Sequence, residues 1–336
     1  MSSRFPTAPP VLVLLAALAL AACSGKAPQT RAGPTPIRFA TDWRAEAEQG
    51  GFYEALAEGQ YAKRGLAVRI IPGGPGVNVP ELIGSGAVDM GIGSNSFIVM
   101  NLAARKIPIK AVAAFMQKDP QVLIAHPDAG INSLADIKGR PVLLSSASVN
   151  AFWVWLKAKY GFTDSQVHAY TSSAPFIANK GVVEEGYLTN EPYTIQKKAH
   201  FTPKVFLLAD YGYSGYAGMV LASDKLIASD PKAVRAFVEA SAAGWKDYLF
   251  GDPRPADALI LADNQEMSED VLAQARQKMR QAGIVSSGDA AKGGLGVMTD
   301  ARWKIFFDMA SKAGLYPADL DWKSAYTLAF VGKPGT

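Results

Sequence analysis

The chain has 336 residues, 49% hydrophobic and 19% charged, with a formal net charge of +4 and a single cysteine, Cys23. That balance supports a packed core and excludes a disordered chain, while one cysteine excludes an internal disulfide or a zinc site built on thiolates. Lys and Arg form no run or stripe, which excludes nucleic acid as a partner class.

Residues 11–22 form an apolar run without charge. At about 12 residues it is shorter than the ~20 a membrane-spanning helix needs, and it suits the hydrophobic region of a secretory signal. Leu20-Ala21-Ala22-Cys23 resembles the lipobox of bacterial lipoproteins. The expectation is a signal peptide over residues 1–22 and lipidation of Cys23, followed by a flexible tether over residues 23–36, rich in Pro and small polar residues. The protein is then expected in the periplasm, lipid-anchored to the membrane, or on the extracytoplasmic face of the cell membrane.

From residue 37 the pattern alternates. Strands are expected over 37–40, 68–71, 88–92 and 109–115, with helices over 51–64, 79–83 and 96–105 between them. A second unit begins with a strand at 121–125. Ser133 then caps a short helix stopped by Gly139, a strand follows at 142–144, and a helix over 150–160 contains Trp153 and Trp155. Further strands are expected near 167–170, 181–183, 205–208 and 219–222. From Asp230 onward the pattern is helical, over 231–249, 256–263, 268–281 and 299–312. This rhythm predicts mostly parallel α/β sheets covered by helices. The chain is expected to cross between two lobes near 117–121 and 211–218. Lobe 1 then comprises residues 37–118 and 217–336, including the helical C-terminal region, and lobe 2 residues 119–216.

Enzyme signatures are missing from the sequence. His126, His168 and His200 are far apart, and each reads as a surface or loop residue. There is no HExxH pattern, no GxSxG elbow and no phosphate-binding GK[ST] loop. Glu184 and Glu185 are adjacent, so in a strand they point to opposite faces and read as solvated. No catalytic residue, cofactor or metal is expected.

Three blocks carry a resemblance. Thr41-Asp42-Trp43, then Gly51-Phe52-Tyr53-Glu54-Ala55 and Lys63-Arg64-Gly65-Leu66, form the first. The second runs from Leu82 to Gly93 through Gly86-Ala87-Val88-Asp89, and the third is Ser133-Leu134-Ala135-Asp136-Ile137-Lys138-Gly139. Together with Glu191-Pro192-Tyr193, they resemble the solute-binding proteins of ABC importers for nitrate, sulfonates, taurine and thiamine-pyrimidine precursors, which include relatives of thiamine pyrimidine synthases. Where the pyrimidine-binding branch has a histidine before Gly-Phe-Tyr, this chain has Gln49-Gly50. The resemblance implies an α/β, type II-like periplasmic binding protein: two doubly wound sheets joined by a two-crossing hinge. It also implies a monomer whose partners are a small-molecule solute, an ABC permease with its ATPase, and the membrane through lipid on Cys23. Fungal pyrimidine synthases share the opening motif but use a cysteine-rich motif and a pyridoxal-phosphate lysine; no cysteine follows position 23 here. A lipoprotein sensor is a further alternative.

Ligands of open α/β sheets sit beyond the carboxyl ends of the strands. Those ends supply Asp42, Trp43, Ser94, Asn95, Ser96, Ser146, Ser148 and Tyr170 as candidate ligand-binding residues, and Tyr53, Glu191 and Tyr193 join them. The serines are equally explained as helix caps. Trp43, Tyr53, Phe97, Trp153, Tyr187 and Tyr193 fall near turns where they could stack on a ring. Of these Trp43, beside an acidic residue at a strand end, is the best placed, whereas Trp153 and Trp155 suit the core. The glycine-rich segment 71–78 suits either close backbone approach to a ligand or a tight connection. Asp42 and Glu191 would accept hydrogen bonds from an amino-substituted ring and would repel a sulfonate. A planar heterocycle, such as a thiamine pyrimidine precursor or a flavin-like vitamin, is the expected ligand, with an organosulfonate, taurine or other small anion as the alternative.

Overall fold

The computed structural model describes residues 33–74 and 76–332, together with Met1 and Ser2. Cys23, the signal and most of the tether lie outside the described residues. In the first sheet, β1 (Thr35–Ala40), β2 (Leu66–Ile71), β3 (Met90–Asn95), β4 (Ile109–Met116) and β10 (Ala217–Ser223) take the order β2-β1-β3-β10-β4. The second holds β5 (Gln121–Ala125), β6 (Val142–Leu144), β7 (Val167–Ala169), β8 (Val183–Tyr187) and β9 (Lys204–Leu207), in the order β7-β6-β8-β5-β9. Helices α1 (Gly50–Ala57), α2 (Val79–Gly84) and α3 (Ser96–Ala104) connect the first strands. In the second lobe lie α4 (Ser146–Val149), α5 (Phe152–Tyr160), α6 (Ala174–Ala178) and α7 (Glu191–Ala199). The C-terminal helices are α8 (Asp224–Ser229), α9 (Pro231–Phe250), α10 (Arg254–Asp263), α11 (Glu269–Ala282), α12 (Ala290–Gly293) and α13 (Asp300–Lys312). The fold is two-lobed α/β.

The sheets are mixed where the sequence pattern predicts mostly parallel ones. β1 runs parallel to β2 and β3, but β10 lies antiparallel between β3 and β4. In the second sheet β6 is parallel to β7 and β8, while β5 is antiparallel to β8 and β9. The exceptions are the strands that follow the two crossings, at 117–120 and 212–216. Ala217 at the start of β10 pairs with Asn95 and Met116 at the ends of β3 and β4, and Gln121 at the start of β5 pairs with Tyr187 at the end of β8. A strand that enters where its neighbours end must run against them. Both crossings therefore lie at the strand-end edge, where α/β sheets present ligands.

Arg302 of α13 binds the crossings to each other: its guanidinium donates to the Gln117 carbonyl at 2.6 Å and to the Ser214 carbonyl at 2.8 Å. Other expectations shift locally. The helix expected over 51–64 ends at Ala57, because the chain turns through left-handed Gly59 (φ 68°) and Gly65 (φ 75°). The strand expected at 181–183 is displaced to β8, and α7, with Pro192 in its first turn, was not apparent from the pattern. His126 lies in the loop after β5, as one of its two readings has it, but is buried, 2.7 Å from the Phe176 carbonyl and packed against the rings of Phe176 and Phe201. Trp153 and Trp155 are core residues.

In the first lobe Phe39, Phe52, Phe115, Phe237 and Trp245 form a continuous ring cluster; Phe39 and Phe52 are 4.8 Å apart between centroids. The glycines of α1 and α9 let these helices meet around it. A methyl group on Gly51 would lie 2.1 Å from Trp245 Cγ, and one on Gly244 would lie 2.2 Å from the Gly51 carbonyl oxygen. The backbone at Gly244 cannot yield as a side chain can. Gly244→Ala is expected to destabilise the fold by about 1–3 kcal/mol in urea unfolding, while Gly84→Ala, with open space around it, leaves the midpoint nearly unchanged.

Candidate ligand-binding cleft

The cleft between the lobes encloses a cavity of about 930 Å³. Asp42 and Trp43 follow β1, and Ser94 and Asn95 end β3; all four line the cavity from the first lobe. Ser146, Ser148, Tyr170 and Glu191 line it from the second. Ser94 donates to the Asp42 carboxylate. The capping roles are present too: Asn95 Oδ1 accepts from the Phe97 N–H at 3.1 Å and Ser145 Oγ from the Ser148 N–H at 3.3 Å. In the glycine-rich segment, the Gly73 N–H donates to the Trp43 carbonyl at 3.0 Å. A Cβ on Gly73 would come within 2.3 Å of the Thr41 carbonyl oxygen, so only glycine brings this loop against Asp42-Trp43.

Three expected site residues do not line the cavity. Tyr53 is buried and donates to Asp263 at 2.8 Å, fastening α1 to α10. Ser96 is also buried; its hydroxyl donates to the Tyr216 carbonyl at 3.0 Å and accepts from the Tyr216 N–H at 2.8 Å. Tyr193 donates to Asp270 at 2.8 Å, linking α7 to α11. Each is held by a partner far away in sequence, which spacing along the chain does not reveal.

Conversely, Glu46, Glu48, Gln49, Gln121 and Glu185 line the cavity, although the sequence does not offer them as ligand-binding candidates. A usable signal was present for the first three, since two carboxyls and a carboxamide fall in the turn directly after β1. Glu184 and Glu185 do diverge, but neither is solvated as expected. Glu184 is fully buried, while Glu185 reaches the cavity and accepts from the Ser145 N–H at 2.8 Å. Two first-lobe carboxyls also meet the second lobe. Glu46 accepts from Asn190 at 2.9 Å, and Glu48 accepts from the Thr189 hydroxyl.

The NMT1/THI5-like family model matches residues 46–256. The chain belongs to this family. The chain is 26% identical to "Riboflavin-binding protein RibY" of Chloroflexus aurantiacus, over 95% of this chain and 96% of the relative. It is 22% identical to a formylaminopyrimidine-binding protein of Halalkalibacterium halodurans, over 76% of this chain and 79% of that one. A 4-amino-5-hydroxymethyl-2-methylpyrimidine phosphate synthase of Schizosaccharomyces pombe is 26% identical over 63% of this chain and 65% of its own length. The periplasmic aliphatic sulphonate binding protein SsuA of Escherichia coli has the same fold, with a TM-score of 0.64 at 13% identity over 88% of this chain and 98% of SsuA.

Burial raises the carboxyl groups of this family member's cleft above their ordinary range. It is the leading cause at Asp42, Glu46, Glu48 and Glu185, and at Glu46 the charges of Glu48 and Glu191 add to it. Glu191 is pushed up to about 7 by burial, reinforced by Glu48 and Glu185 and opposed by the Tyr187 N–H. A carboxyl raised on folding contributes stability in full below its unfolded value near 4.5 and loses it as pH rises through its folded value. The melting temperature of the ligand-free protein is thus expected to fall between about pH 5 and about pH 8. Glu191→Gln should remove on the order of 3 kcal/mol of the stability lost across that range, read by calorimetry; an unchanged pH dependence contradicts the assignment.

Proposed function

We propose that this chain is a lipid-anchored extracytoplasmic solute-binding protein that delivers a small planar heterocycle to an ABC importer. It is not an enzyme in this reading. Residues 37–118 with 217–336 and residues 119–216 act as the lobes that close on the solute, and closure follows from contacts that both lobes make to one ligand. The observation that carries the heterocycle is the lining of the cleft. Trp43, Tyr170 and Tyr187 offer ring faces, and Asp42, Glu46, Glu48, Glu185 and Glu191 offer acceptors to ring and amino N–H groups. Ser94, Asn95, Ser146 and Ser148 complete the polar contacts. Two relatives named for riboflavin and for formylaminopyrimidine support the same ligand class. A sulfonate would meet several carboxyl groups and a single lining guanidinium, that of Arg105.

Isothermal titration with riboflavin, formylaminopyrimidine, taurine and ethanesulfonate tests this reading. One of the heterocycles is expected to bind, and Trp43→Ala to weaken it by roughly three- to tenfold through the lost ring contact. Binding of the sulfonates alone would sink the heterocycle. The anchor is tested separately: Cys23→Ala should release the protein from the membrane fraction of its host.

A further inference from the structure

We infer that the cleft is built for a planar cation, whose positive charge between the two lobes replaces the mutual repulsion of the carboxyl groups facing across it. This rests on the solute-binding reading above and adds the charge of the solute. The first lobe contributes Asp42, Glu46 and Glu48, and the second Glu185 and Glu191. The only cationic side chain among the described lining residues, Arg105, is exposed just beyond the end of α3.

Hydrogen-bond accounting points the same way. Five nearby donors are already engaged with these carboxyl groups: Ser94 with Asp42, Thr189 with Glu48, Asn190 with Glu46, and the Ser145 and Tyr187 N–H groups with Glu185 and Glu191. These bonds hold the carboxyl groups in place and leave acceptor capacity over. Glu185 Oε2 is buried with no hydrogen-bond partner among the described residues. The carboxamide oxygen of Gln121, a residue 8% exposed that lines the same cavity, is buried and unpartnered as well. A lining with spare acceptors and acidic groups favours a ligand that brings donors and positive charge. Trp43, Tyr170 and Tyr187 add ring faces, which attract a cation through their quadrupoles. A ring nitrogen that carries a proton or an alkyl group meets all three demands. Closure then has an electrostatic cause: acidic groups from two lobes converge on one site, and the ligand's positive charge offsets their repulsion.

Proflavine, a planar tricycle protonated at neutral pH, and lumichrome, an uncharged planar tricycle of similar size, form a matched pair of probes. Titrated into the purified protein at neutral pH, proflavine is expected to bind at least tenfold more tightly than lumichrome. Glu46→Gln and Glu191→Gln should each weaken proflavine by roughly tenfold and leave lumichrome within about twofold. Asp42→Asn replaces either variant that does not fold. Equal or tighter binding of lumichrome overturns the inference, as do variants that leave proflavine unaffected. Binding of riboflavin without proflavine overturns the cation while the solute-binding reading stands. Binding of taurine or ethanesulfonate in preference to every ring overturns the cation and the heterocycle together.

Discussion

The architecture depends on one constraint, that the chain passes between two sheets twice at the same edge. Each passage starts a strand at the edge where its neighbours end, so β5 and β10 insert antiparallel into otherwise parallel sheets. The Arg302 guanidinium donates to a carbonyl in each passage, which ties the two segments to each other and to α13. Because both crossings lie at the strand-end edge, the turns after β1, β3, β6 and β7 face one another. The cavity is a consequence of that topology.

Within the cavity the carboxyl groups are positioned by neighbouring donors. Glu46 and Glu48 are held by Asn190 and Thr189, which belong to the opposite lobe. The groups that define the lining therefore also bridge the cleft. Their raised affinity for protons has one leading physical cause, burial, with like charges at close range adding to it. Taking negative charge out of water is unfavourable unless something positive replaces the solvent, whether a proton or a ligand.

Much of this was legible in the sequence. Alternating short apolar runs and amphipathic stretches indicated α/β units. The strand ends pointed to Asp42, Trp43, Ser94, Asn95, Ser146, Ser148 and Tyr170, all of which line the cavity, as does Glu191. Tyr53, Ser96 and Tyr193 had the right residue type and nearly the right place, but distant partners engage their hydroxyls. Glu185 reads as solvated from the sequence, but β8 lies two residues beyond its expected place and brings Glu185 to the strand end, where it lines the cavity. Short strands of this kind have weak boundary signals, and pairing with neighbours decides where they start.

By itself the sequence determined the class of fold, the absence of thiol chemistry beyond Cys23, and the turns that could meet a ligand. These follow from local periodicity and composition, which each segment carries alone. Tertiary structure alone decided that carboxyl groups from two lobes share one buried space, that their donors come from across the cleft, and that the sheets are mixed. Those outcomes depend on which distant segments become neighbours and on how much water is excluded between them, quantities that no single stretch of chain contains.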